Sequence, residues 1–87
     1  MTSPYSVLVV DDEPSIGKLL KKELSTPART VTAVESAHQA REMLRRNTYE
    51  VAVLDLRLPD ADGLDLLVEI RQHSPDVEVI IITGHGN

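Results

Sequence analysis

With 87 residues the chain has room for one domain at most, and 41% hydrophobic residues with only two aromatics, Tyr5 and Tyr49, dictate a small core built from Val, Ile and Leu. A formal charge of −5 with nine scattered basic residues excludes a nucleic-acid surface, because phosphate backbones demand clustered Lys and Arg. The absence of cysteine excludes a disulfide framework and a thiolate metal site, and apolar runs of four residues fall far short of the roughly 20 that span a bilayer.

Val7 to Val10 is a continuous apolar run, the pattern of a strand buried on both faces. A helix is predicted directly after it, with Asp12 as N-cap, Glu13 favouring the positive helix end and Pro14 in the first turn. Ile16, Leu19, Leu20 and Leu24 form its apolar stripe, Lys18, Lys21 and Lys22 fall on the solvent side, and Ser25-Thr26-Pro27 ends it. Thr30 to Val34 alternates polar and apolar residues, as a strand near a sheet edge does. Ser36 to Gln39 has the form of a capping box, opening a second helix that buries Ala40, Met43 and Leu44 and breaks at Asn47-Thr48.

Val51 to Leu54 is a third strand, followed by Asp55-Leu56-Arg57-Leu58-Pro59 and the turn residues Asp60-Ala61-Asp62-Gly63. That turn lacks the rest of an EF-hand pattern, so a Ca²⁺ loop is not expected. A third helix from Leu64 to about His73 is expected to turn Leu64, Leu67, Val68 and Ile70 inward, and Val77 to Ile82 is a fourth strand before the loop Thr83-Gly84-His85-Gly86-Asn87. Strand and helix therefore alternate, which implies an α/β fold with a parallel sheet and right-handed crossovers.

Three polar sites follow apolar strands: Asp11-Asp12, Asp55 and Thr83-Gly84. Ligands of open parallel sheets bind at the carboxyl ends of the strands, so these ends are candidates for one cluster. Carboxylates gathered there repel unless a hard cation sits among them, which makes a Mg²⁺-dependent phosphoryl site the leading expectation. His38 and His73 are expected on solvated helix faces, and scattered histidines do not make a transition-metal site.

Asp11-Asp12, the segment Asp55-x-x-x-Pro59-x-x-x-Gly63 and Thr83-Gly84 together resemble the receiver domain of bacterial response regulators, the phosphorylated half of two-component signalling. The resemblance covers essentially the whole chain and implies a flavodoxin-like three-layer fold with strand order 2-1-3-4. It implies that Asp55 accepts a phosphoryl group from a sensor histidine kinase or phosphotransfer protein, and that an effector domain answers in the full-length protein. Asp12 and Asp55 would ligate Mg²⁺ directly, Asp11 through water, and Arg57 through its backbone carbonyl. Thr83 would bond the phosphoryl oxygen as a switch hydroxyl, Gly84 would leave room for the acyl phosphate, and His85 could tune access of water. The loops Leu56 to Pro59 and Thr83 to Gly86 look most like receivers attached to ATPase activators of alternative-sigma-factor transcription.

Complete receivers continue through a fourth helix, a fifth strand and a fifth helix, so residues 1–87 read as an incomplete receiver domain. The family's lysine at the end of the fifth strand has no counterpart in Lys18, Lys21 and Lys22, which lie on the first helix, so impaired phosphorylation is expected. With no fifth strand the fourth becomes an apolar edge, and homo-oligomerisation through that edge is expected. Two rival readings are an interaction module that is not phosphorylated and an aspartyl-phosphate phosphatase; such phosphatases need a second acid two residues after the nucleophile, where Arg57 stands. The N-terminal residues Met1 to Tyr5 carry no basic segment ahead of an apolar one, so no secretory signal and a cytoplasmic location are expected.

Overall fold

A computed structural model describes residues 5–82. The elements run β1 (Tyr5–Val10), α1 (Pro14–Leu24), β2 (Arg29–Val34), α2 (Ala37–Arg46), β3 (Val51–Asp55), α3 (Gly63–His73) and β4 (Glu78–Ile82). All strand pairs are parallel, in the order β2-β1-β3-β4. The topology is the expected 2-1-3-4. Register aligns Val7 with Val31 and Val51, Val10 with Val34 and Leu54, and Asp55 with Ile82.

Alternate residues of β1 and β3 face opposite layers, as the pleat requires. Leu8, Val10, Ala52 and Leu54 pack with Ala37 and Ala40 of α2 and with Leu66 and Ile70 of α3. Val7, Val9, Val31 and Val53 form the second layer, against which Leu20 and Leu24 of α1 pack. The three layers are therefore α1, the sheet, and the α2–α3 pair. Leu8, Leu54 and Leu66 are fully buried, each worth about 1.5–3 kcal/mol of hydrophobic stabilisation. Beside α1 an apolar groove of about 450 Å³ remains open, lined by Val7, Leu24, Val51, Val53 and Ile80 among others. Ile80 is half exposed, and β4 is one of the two outer strands among the described residues.

Three local expectations are corrected. The N-cap of α1 is Glu13 rather than Asp12, and no side chain caps it; the Glu13 N–H donates to Asp11 Oδ1 at 2.9 Å, which leaves Asp12 exposed beyond the strand end. Leu19 is 54% exposed. Helix α1 meets the sheet through Gly17, where an added Cβ would lie 3.3 Å from the Ala33 Cβ, so Ile16, Leu20 and Leu24 turn inward and Leu19 does not. On α3, Leu64 and Val68 are 51% and 53% exposed, whereas Leu66 and Ile70 are buried with Leu67 partly so.

The capping box of α2 forms in a shifted version. Ser36 Oγ accepts from Gln39 N at 3.1 Å, while Gln39 Oε1 accepts from Glu35 N at 2.7 Å instead of from Ser36. Arg41 of α2 donates to both carboxylate oxygens of Glu69 on α3, at 2.8 and 3.2 Å. No helix among the described residues is long and apolar enough to cross a membrane.

Candidate functional site

Strands β1 and β3 are neighbours, so parallel pairing brings their carboxyl ends side by side. Asp11 follows β1 directly, with its N–H continuing the ladder to Val34 O at 3.1 Å, and Asp55 is the last residue of β3. Both carboxylates are buried and Asp12 is exposed. One ligand oxygen from each of Asp11, Asp12 and Asp55 lies within 4.8 Å of the other two. Sequence reasoning proposed this convergence, and the fold delivers it.

Backbone amides aim two of these groups. Asp11 Oδ1 accepts from Glu13 N, and Asp55 Oδ1 accepts from Arg57 N at 3.2 Å. Burial pushes the Asp11 carboxyl above the ordinary carboxylate range, the Glu13 amide opposes this, and repulsion from Asp55, Asp12 and Glu13 adds to it. Such a group is relieved by a cation. Octahedral Mg²⁺ at about 2.0–2.1 Å from each ligand sets neighbouring oxygens roughly 3 Å apart and opposite ones roughly 4 Å apart. Oxygens within 4.8 Å of one another need small side-chain shifts to reach this spacing, and carboxylate oxygens are the hard donors such an ion takes.

Arg57 is exposed and lies opposite Asp62 in a short antiparallel bridge. Gly63 closes that loop, donating its N–H to Leu56 O at 2.9 Å. Asp62 caps α3 by accepting from Leu64 N at 2.9 Å. Asp60 reaches across to α2, a role sequence reasoning missed: Oδ1 accepts from Ala37 N at 2.8 Å and Oδ2 from His38 N at 2.9 Å. His38 and His73 are exposed, as expected. Thr83, Gly84 and His85 lie outside the described residues.

The sequence pattern of the response regulator receiver domain matches residues 7–87. This chain belongs to that family. Receiver relatives include the response regulator protein PilR of Pseudomonas aeruginosa, 38% identical over 85 residues, covering 98% of this chain and 19% of PilR. The transcriptional regulatory protein GlrR of Escherichia coli is 36% identical over 84 residues, covering 97% of this chain and 19% of GlrR. The chain thus spans about a fifth of the length of either relative. Among receiver structures, the response regulator TrrA of Thermotoga maritima in complex with Mg²⁺ and BeF superposes with a TM-score of 0.85 at 33% identity, covering 94% of this chain and 71% of TrrA. The same regulator in complex with the histidine kinase ThkA gives a TM-score of 0.84 at 32% identity, covering 95% of this chain and 72% of that one.

Proposed function

We propose that this receiver chain is the phosphoacceptor of a two-component response regulator, with Asp55 as the acceptor and Mg²⁺ as the cation among Asp11, Asp12 and Asp55. The observation that carries the reading is the convergence of those three carboxylates at adjacent strand ends. The Mg²⁺–BeF complex of TrrA supports the cation and its complex with ThkA supports a histidine kinase as donor. Bound Mg²⁺ would neutralise charge on the transferring phosphoryl group and on the acids around it.

The residues divide the work. The Asp55 carboxylate oxygen attacks phosphorus; an O–P bond forms, the P–N bond of the donor phosphohistidine breaks, and its electron pair stays on the imidazole nitrogen, which takes up a proton. The Arg57 N–H holds one Asp55 oxygen and leaves the other to react. Asp12 and Asp55 would ligate the ion directly, Asp11 through water and Arg57 by its carbonyl, following the family pattern. In the family pattern Thr83 would supply the switch hydroxyl and Gly84 and His85 would neighbour the phosphoryl group. Lys18, Lys21 and Lys22 all lie at exposed positions of α1, so none stands in for the family's strand-end lysine, and residues 1–87 tested alone should accept phosphate slowly.

PilR and GlrR, regulators about five times as long, support an output carried by an effector domain; a cytoplasmic site of action and the ATPase-activator class belong to the same proposal. Self-pairing through β4 belongs to the same proposal.

Acetyl phosphate with Mg²⁺ tests it. An added phosphate on intact mass, absent in Asp55→Asn and without Mg²⁺, is the expected result. Steady phosphate release would favour a phosphatase, and no reaction would favour an interaction module that is not phosphorylated.

A further inference from the structure

Asp60 stands apart from the acidic cluster, on the loop between β3 and α3 that also carries Arg57. Its two oxygens take the N–H groups of Ala37 and His38, the first residues of a helix 23 and 22 positions earlier in the chain. These are amides that a helix leaves without an internal partner. Helix α2 already has its own N-cap in Ser36, which serves Gln39 N. The Asp60 contact is therefore an addition whose other end is the phosphoacceptor loop. Arg41, one turn further along α2 and paired with Glu69 of α3, adds attraction for the same carboxylate.

We propose that Asp60 is a positioning residue for the metal site: it pins the β3–α3 loop to α2 and so holds Arg57 and Asp55 in the geometry that receives the cation. Leu58 and Ala61 of the loop pack against the core, while the Arg57–Asp62 bridge and the Gly63-to-Leu56 hydrogen bond are internal to the loop and its exit. Among the described residues, only Asp60 ties it to a different helix through side-chain hydrogen bonds. Groups that orient ligands in this indirect way set affinity by restricting where the ligands point. The claim rests on the phosphoacceptor reading, since it concerns the same cation.

Asp60→Ala and Ser36→Ala separate positioning from plain helix capping. Both remove an acceptor from the α2 N-terminus, and only the first frees the loop. Mg²⁺ titration followed by amide NMR should show affinity weakened roughly 10-fold in Asp60→Ala, less in Asp60→Asn, and unchanged in Ser36→Ala. Hydrogen exchange without metal should speed up at residues 56–62 in Asp60→Ala alone. If Asp60→Ala does not fold, Asp60→Asn, which keeps one acceptor oxygen, carries the comparison.

Wild-type affinity and exchange in the Asp60 variants overturn the claim, as does an equal change in Ser36→Ala. A wild-type chain that takes up no Mg²⁺ overturns the cation reading and this claim together. The wild-type titration tells that failure from a failure of Asp60 alone.

Discussion

A methyl group on Gly63 would lie 2.4 Å from the carbonyl oxygen of Asp55 and 2.7 Å from the Leu56 Cα. Helix α3 therefore starts in van der Waals contact with the backbone that leaves β3, where only glycine fits. The obstacle is backbone, which cannot rotate aside as a side chain can. Gly63→Ala should destabilise the fold by about 1–3 kcal/mol, the usual cost of overpacking. Urea denaturation checks it, and an unchanged midpoint would show that the loop yields freely.

The same contact sets the rotation of α3. Leu66→Ala should cost about 2–5 kcal/mol, a large part of what a domain this small possesses. Leu64→Ala and Val68→Ala should each stay within about 0.5 kcal/mol, because those side chains are half in water. Thermal or urea midpoints of the three variants rank them, and equal losses would contradict the packing described for this helix.

Crowding of Asp11, Asp12 and Asp55 should be visible as a dependence on divalent cations. Without Mg²⁺, Asp11→Asn should raise stability by at least about 1 kcal/mol, the bulk-water value for one repulsive pair at this distance, which burial increases. Saturating Mg²⁺ should stabilise the wild type by mass action and the variant far less. Calorimetric melting with Mg²⁺ and with a chelator makes the comparison. A larger cation response in the variant than in the wild type would be incompatible with a shared site.

Asp60 gives a test in pH. The amides of Ala37 and His38 hold its carboxyl below the ordinary carboxylate range. A depressed folded value means that the unfolded chain binds the proton first as pH falls, so stability decreases toward acid. The advantage of the wild type over Asp60→Asn should be complete above about pH 5, begin to shrink near the ordinary aspartate value of about 3.9, and fade as pH drops through the folded value. Denaturation at a series of pH values measures it; an advantage that grows toward acid would have the wrong sign.

Strand β4 exposes Ile80 beside an open apolar groove. Edges of this kind pair with other chains unless a charge blocks them. The chain is expected to self-associate at micromolar concentration, and Ile80→Lys should shift it to monomer with the secondary structure intact. Sedimentation velocity of both forms decides, and a monomeric wild type would count against the pairing.

The strands and the acidic cluster were readable in advance because unbroken runs such as Val7 to Val10 and Val51 to Leu54 suit only a strand covered on both faces, and because an acid at each strand end needs nothing beyond parallel pairing to meet its neighbour. Helix rotation was not. Leu64, Leu66, Leu67, Val68 and Ile70 put apolar groups on more than one side of α3, so periodicity alone cannot choose the buried face; the close approach of Gly63 to Asp55 chooses it. Asp12 looked like a helix cap because acids commonly are, but Asp11 takes the Glu13 amide. Asp60 read as one more turn residue, since its partners are remote in the chain and no local pattern announces them.

The rung that joins Val10 to Leu54 is the last before the acids begin. Sliding β3 by a single position would turn Asp55 toward the opposite layer, because side chains alternate along a strand. The same slide would move Leu54 from the α2–α3 layer into the α1 layer, away from the Leu66 and Ile70 it packs with. Misalignment thus carries two penalties at once, and a chain that has buried its leucines has, by that act, already aimed Asp55.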